Sequence, residues 1–166
     1  MIQFLHRLLW FVILLLVQVL ILNHLHIDGY GTPVLFIYYI FMLNAETPRI
    51  SVMLQAFCLG LCVDIFSNTP GMNASACTLL AFVRRGLLAS QVDRDINEDY
   101  EPGIRIMGFW PFSRYIFIGS ILYVLVWQTI DTFSFFRIGE LVFKILASTA
   151  TTMLCILCVD TIRRKK

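Results

Sequence analysis

Charged residues are scarce in this chain, and their scarcity excludes most kinds of soluble protein. Only 14% of its 166 residues are Asp, Glu, Lys or Arg, whereas 58% are hydrophobic. A soluble domain carries about 25% charged and about 45–50% apolar residues, and a domain of this size keeps much of its surface in water. The composition therefore excludes an ordinary soluble enzyme, a nucleic-acid-binding module and a disordered tail. A compact integral membrane protein remains.

The sequence also lacks the motifs that usually carry catalysis or bind cofactors. It has no glycine-rich phosphate loop, no H-E-x-x-H and no G-x-S-x-G. The C-x-x-C pair of Cys155 and Cys158 lies in an apolar run, where buried thiols are more common than redox sites. His24, His26 and Asp28 share one short loop, but no fourth metal ligand is evident elsewhere. We therefore expect a non-enzymatic protein without a cofactor or a metal site.

Long apolar runs make up most of the sequence and predict membrane-spanning helices. A helix needs about 20 apolar residues to cross a hydrocarbon core of about 30 Å. We expect the short second run to cross as a tilted helix or in a thinned bilayer, rather than to form a buried loop. The predicted fold is all-α, a six-transmembrane-helix bundle in a single membrane domain of residues 1–166. Its spans are residues 4–22, 32–47, 50–67, 72–89, 114–131 and 138–160, and residues 90–113 form a charged loop.

The positions of the basic residues predict which way this bundle faces. With six spans and a cytoplasmic N-terminus, eleven of the thirteen Lys and Arg residues lie on the cytoplasmic side. Of the other two, Arg137 lies outside and Lys144 lies within the sixth span. Cytoplasmic segments of membrane proteins carry the excess of Lys and Arg. We therefore predict that both termini are cytoplasmic.

Two of the ionisable residues within the predicted spans, Asp64 and Lys144, are candidates for a role inside the membrane. Asp64 and Lys144 lie three and six residues from the outer ends of their spans, or ~4.5 Å and ~9 Å at ~1.5 Å per residue. Ionisable residues in a bilayer are costly and often face a partner, a cavity or a pathway. Asp64 is either such a functional carboxylate or a cap at the outer interface. Lys144 either snorkels outward or forms an intramembrane ion pair with Asp64.

The most specific segment turns the chain between the third and fourth spans. It contains Gly60, which permits close helix packing, Asp64, which meets the interface, and Pro70-Gly71, which turns the chain. Its sequence, GLCVDIFSNTPGMNA from Gly60 to Ala74, is similar to the G-L-x-x-D-x-x-x-x-x-P-G-x-x-A hairpin of the rod shape-determining protein MreD family.

Other parts of the chain resemble the same family. The paired tyrosines of the short second span, Arg84 near the end of the fourth, and the stretch of residues 104–108 before the fifth all agree with it. The last of these is a feature of the Bacteroidetes branch. The resemblance covers essentially the whole chain, including its length and six-span layout.

This resemblance implies a function without catalysis. MreD-like proteins are scaffolds of the elongation machinery in the bacterial cytoplasmic (inner) membrane, where they bind the bitopic protein MreC and help to regulate lateral peptidoglycan synthesis and cell shape. They act beside the MreB filament, the RodA-type glycosyltransferase and its class B penicillin-binding transpeptidase. The family is thought to share the helical architecture of the substrate-binding subunits of energy-coupling-factor transporters. The implied partner-binding or structural residues are Gly60, Asp64, Pro70, Gly71 and Arg84, with the 91–113 loop as a further contact surface.

Two other functions stay open. A substrate-binding membrane subunit of a small-solute, vitamin-type transporter would need polar residues around a cavity. The candidates are few: Asn73, Ser75, Thr78, Gln128 and Lys144. An integral-membrane enzyme acting on a lipid-linked substrate would need an acid/base pair or a metal site near an interface. For that role only Asp64, Glu140 and the His24/His26 pair qualify, and they form a poor set.

Overall fold

The computed structural model describes residues 2–22, 33–91, 100–131 and 138–163, and these residues form helices and turns without a strand. The predicted all-α class is confirmed for this part of the chain. The helices are α1 (Ile2–Leu20), α2 (Tyr38–Met42), α3 (Arg49–Ser67), α4 (Met72–Gln91), α5 (Ile104–Met107), α6 (Phe109–Asp131) and α7 (Ile138–Arg163).

Three helices of the described residues are long and apolar enough to cross a membrane. They are α3, α6 and the Val142–Arg163 part of α7. The apolar Leu8–Leu20 stretch of α1 is shorter. Helix α4 has 20 residues, but Arg84, Arg85 and several small polar side chains make it less apolar. Length and composition thus mark three candidate spans, half the number that the sequence predicted.

The helices pack side by side in the order α3, α4, α6, α7, and α1 packs against α3. Two contacts show that neighbours run antiparallel. The Tyr123 hydroxyl, late in α6, donates to the Asn73 side chain at the start of α4. The Ile104 N–H, just before α6, donates to Asp160 near the end of α7. We call the end that holds residues 60–74 the hairpin end, and the end that holds Arg84, α5 and Arg163 the basic end.

The second predicted span differs from its prediction. In place of a tilted helix over residues 32–47, the structure has only the five-residue helix α2. Every residue from Pro33 to Leu43 is buried, so the segment contacts protein rather than the outside of the bundle. It is a central core element, because the helices around it cover all of its sides.

Side chains from α1 and α7 satisfy the backbone of this segment where it is not helical. The Leu35 N–H donates to Gln18 Oε1 at 2.9 Å, and Gln18 Nε2 donates to the Pro33 carbonyl at 3.1 Å. The Val34 N–H donates to Thr152 Oγ1 at 3.0 Å. Irregular backbone at membrane depth is tolerated only where protein encloses it and supplies such partners.

Close packing holds the same segment against α6. A Cβ atom at Gly119 would lie 2.5 Å from the Phe41 ring, so glycine leaves the space that this ring occupies. Two edge-to-face ring pairs add to the contact. They are Phe36 with Tyr123 at 5.8 Å and Phe41 with Tyr115 at 5.0 Å between centroids.

Candidate functional site

The Asp64 carboxylate is the centre of the hairpin. Its Oδ1 accepts hydrogen bonds from the Thr69 hydroxyl (2.9 Å), the Asn73 N–H (3.0 Å) and the Asn73 side-chain amide (2.9 Å). Its Oδ2 accepts from the Ala74 N–H at 2.9 Å. The first N–H groups of a helix have no partner within it, and they lie at the positive end of the helix dipole. Asp64, only 5% exposed, therefore caps α4 from the preceding helix.

The turn between α3 and α4 brings these groups together. The Asn68 residue that ends α3 is left-handed (φ 54°), and its N–H donates to the Asp64 carbonyl. Gly71, at the end of the turn, also has a positive φ of 80°. Asn and Gly tolerate this conformation better than other residues do. The Asn-Thr-Pro-Gly sequence thus reverses the chain within a few residues and places α4 beside the carboxylate.

Gly60 sets the distance between the two helices. A Cβ atom there would lie 2.6 Å from both the Ala74 Cα and the Asn73 carbonyl oxygen. These are backbone atoms, which cannot rotate away as the end of a side chain can. The close packing that the sequence suggested for this glycine is present, and it brings the Asp64 side chain within reach of the first turn of α4.

The network extends from the hairpin to α6. The buried Tyr123 hydroxyl donates to Asn73 Oδ1, and the Asn73 amide donates to both Asp64 and Thr69 Oγ1. Asn73, considered above as a cavity-lining residue, is thus fully engaged in the protein's own contacts. These hydrogen bonds join the turn, α4 and α6, and they occupy the Asn73 side chain.

The structure does not bring Asp64 and Lys144 together. All four hydrogen bonds to the carboxylate come from the hairpin itself, and in the described part of the chain no ion pair joins it to Lys144. Helices α4 and α6 lie between α3 and α7 in the packing order, which separates the two residues. The geometry around Asp64 is that of a cap.

An apolar groove lies on the outward face of α3 and α4 beside the hairpin. Its volume is about 670 Å³. Phe57 and Leu61 of α3 and Phe82 of α4 form its sides, and it is almost entirely apolar. Small residues line it at helical spacing: Gly71 at the end of the turn, and Ala74, Ser75 and Thr78 on α4. Such residues let another helix approach closely.

A second polar cluster, which sequence analysis missed, occupies the basic end. The fully buried Asp160 carboxylate accepts from the Tyr38 hydroxyl at 2.8 Å and from the Ile104 N–H at 3.3 Å. One turn later, Arg163 pairs with Glu101 at 2.9 Å, and its guanidinium lies 5.4 Å from the centre of the Trp10 ring. These contacts join the end of α7 to α1, α2 and the approach to α5. In the sequence, the one sign of this cluster is an acidic residue, Asp160, that lies one turn before the basic residues at positions 163–166.

Arg84 belongs to the same end but is buried rather than exposed. Its guanidinium donates to the Leu43 and Asn44 carbonyls, where α2 ends. Basic side chains commonly bind such free carbonyls at helix C-termini. The neighbouring Arg85 is exposed. Burial raises the pKa of the Tyr100 phenol, and the Arg84 charge opposes that rise.

Some predicted features lie outside the described residues. They are the His24/His26/Asp28 loop, residues 92–99 of the charged loop, Arg137 and the Glu140 side chain. Within the part of the chain that the structure covers, no three His, Cys, Asp or Glu side chains are placed to hold a metal ion.

No family model, no curated protein and no solved structure matches this chain. A functional assignment consequently depends on the residues that resemble the MreD family and on the geometry of the two ends and the groove.

Proposed function

We propose that this protein is a non-enzymatic scaffold of the MreD type in the bacterial inner membrane. It crosses the membrane six times, with residues 33–43 as the enclosed second crossing, and keeps both termini in the cytoplasm. It captures the transmembrane helix of an MreC-like bitopic protein and so holds that partner near the RodA-type glycosyltransferase, the penicillin-binding transpeptidase and the MreB filament.

The groove on α3 and α4 is the observation that carries this proposal. Its apolar lining suits a helix within the bilayer, and its small residues at positions 71, 74, 75 and 78 suit close backbone approach. The Asp64 network holds the adjoining turn in one conformation. A rigid surface loses little conformational freedom on binding, and this favours partner capture.

The distribution of charge supports the proposed orientation. The basic end holds Arg49, Arg85, Arg105 and Arg114, which are all exposed, together with the more enclosed Arg84 and Arg163. The hairpin end has Asp64 and Asp131 among its described residues, with Lys144 farther along α7, and the basic end also contains Glu101 and Asp160. A basic end of this kind is typical of the cytoplasmic side.

The hydrogen bonds that the two buried acids accept favour a scaffold over an enzyme. Asp64 and Asp160 both accept hydrogen bonds from the protein's own N–H and hydroxyl groups, so their oxygens stabilise the fold. An acid or base that acts on a substrate needs a free approach to the reacting atom.

Site-specific photo-cross-linking in native membranes tests the proposal. A photoreactive residue replaces Leu79, which is exposed in the groove, and in the matched control it replaces Leu125, which is similarly exposed on α6. We expect mass spectrometry to identify an MreC-like bitopic protein from the Leu79 position and not from Leu125. Capture of an energising ATPase and its coupling subunit would overturn the proposal in favour of transport.

A pair of matched substitutions tests the groove itself. Ser75 and Ser90 both lie exposed on α4 and both donate to the carbonyl three residues earlier, at 2.9 and 2.8 Å. Ser75→Trp fills the groove, and we expect it to lower partner recovery about tenfold, which corresponds to ~1.4 kcal/mol. Ser90→Trp lies outside the groove and should leave recovery unchanged. Equal recovery of the partner with both variants would show that the groove does not bind it.

A further inference from the structure

Two aromatic side chains stand out at the basic end because they are exposed. Trp110 and Phe109, the first residues of α6, are 76% and 54% exposed. Their rings meet edge to face, with centroids 5.9 Å apart. They are directed outward because Gly108, with a φ of 83°, ends α5 and starts α6 in a new direction. Because both rings are largely exposed, the pair is part of the protein surface rather than of the core.

Two arginines flank this pair. Arg105 lies on α5, which Gly108 separates from Phe109, and Arg114 lies one turn after Trp110 on α6; both arginines are exposed. Neither has an acidic partner among the described residues. Guanidinium groups bind phosphate through paired N–H donors. The exposed Ile106 adds apolar surface between the first arginine and the aromatic pair.

The position of this surface limits what can cover it. It lies where α6, one of the three candidate spans, begins, and it is at the basic end of the bundle. Tryptophan and other aromatic residues concentrate at the boundary between acyl chains and headgroups. The cytoplasmic leaflet of a membrane is anionic and attracts basic residues beside a span. Charge and apolarity together therefore match a lipid surface better than an acidic protein.

We propose that Arg105, Phe109, Trp110 and Arg114 form a platform that binds anionic phospholipids of the cytoplasmic leaflet. The arginines bind the headgroup phosphates, and the two rings lie at the level of the glycerol backbone. This inference rests on the proposed inner-membrane location and orientation, but not on the capture of any protein partner. The platform would make the lipid around the scaffold more anionic than the surrounding bilayer.

Lipid-specific fluorescence quenching tests the platform on the full chain in nanodiscs. Trp10→Phe and Trp127→Phe leave Trp110 as the single tryptophan. The nanodiscs are phosphatidylcholine with a small fraction of brominated phosphatidylglycerol or, in the matched arm, brominated phosphatidylcholine. We expect stronger quenching by brominated phosphatidylglycerol. Each of Arg105→Gln and Arg114→Gln should lower the preference about fivefold, because one basic residue near an anionic surface contributes ~1 kcal/mol.

Arg49→Gln is the control for general charge. Arg49 is also exposed at the basic end, but it lies on α3 with its guanidinium 5.9 Å from the Phe82 ring centre, and α4 separates it from α6. An equal loss of preference with Arg49→Gln would overturn the platform in favour of a diffuse surface charge. Equal quenching by the two brominated lipids in the unaltered chain would also overturn it.

The nanodisc measurement and the cross-linking at Leu79 together separate this inference from the proposed function. If the chain enters nanodiscs but shows no preference between the two lipids, the platform proposal is wrong and the scaffold proposal is unaffected. Failure of the chain to enter nanodiscs at all removes the membrane location on which both depend. Loss of cross-linking at Leu79 with lipid preference retained removes only the scaffold.

Discussion

The two ends of the bundle each contain a buried carboxylate, but they are built in opposite ways. The partners of Asp64 are 5 to 10 residues away in sequence, within one turn between two helices. Two donors to Asp160, the Ile104 N–H and the Tyr38 hydroxyl, are 56 and 122 residues away. The hairpin end can therefore form as soon as α3 and α4 meet. The basic end forms only when α1, α2, α5 and α7 have all come together.

Replacing Asp64 gives the largest effect that this comparison predicts. Asp64→Ala removes the acceptor of four hydrogen bonds and leaves the first turn of α4 without its cap. We expect the free energy of unfolding in detergent micelles to fall by about 4 kcal/mol. Asp131→Ala, at an exposed acid at the end of α6, is the control and should change it by less than about 0.5 kcal/mol. Equal effects would contradict the capping role.

Replacing Asp160 tests the long-range end. Asp160→Ala leaves the Tyr38 hydroxyl and the Ile104 N–H short of an acceptor, and we expect a loss of about 2–3 kcal/mol. Hydrogen exchange distinguishes it from the first variant. Asp160→Ala should speed exchange in α2 and α5, whereas Asp64→Ala should speed it at Asn73 and Ala74. Changes confined to α7 would show that this carboxylate does not join distant segments.

Substitution of glycines within the α3–α4 unit tests close packing. Gly60→Ala forces a Cβ atom against the backbone of α4, and we expect a loss of about 1–3 kcal/mol in thermal or denaturant unfolding. Gly86→Ala is the matched control, because a Cβ atom there meets nothing within 4 Å. It should stabilise α4 by about 0.5–1 kcal/mol. A loss of stability from both variants would mean that helix contact at Gly60 is not the cause.

The smallest effect is expected at Lys144. Its side chain is half-buried and has no ion-pair partner in the described residues, so Lys144→Met should change the free energy of unfolding by less than about 0.5 kcal/mol. The double reversal Asp64→Lys/Lys144→Asp should be no more stable than Asp64→Lys alone. A double variant more stable than Asp64→Lys would indicate an ion pair between these two positions, which the structure does not contain.

Much of the hairpin was predictable from sequence because its contacts are local. Glycine at 60, an acid at 64 and Pro-Gly at 70–71 already imply close helices, a polar group at their ends and a turn between them. What the pattern left undecided was the role of the acid. The cap became apparent only from the four distances around Asp64.

The basic end was much less predictable. The sequence placed Asp160 at the end of the sixth span and Arg84 near the end of the fourth, but it did not show that both are buried and bind other segments. Periodicity reports which residues share a helix face, but it does not say which distant segment covers that face. The apolar groove was not predictable for the same reason, since residues of two helices form it together.

The sequence by itself determined that this protein is helical, apolar and divided into segments by one charged loop, because backbone hydrogen bonding and hydropathy act over a few residues. The tertiary structure decided that residues 33–43 lie inside the bundle and that Gln18, Thr152 and Arg84 satisfy their backbone. Hydropathy could not decide this. An apolar side chain has the same preference for lipid and for a protein interior, so only the packing of neighbouring helices shows which one surrounds it.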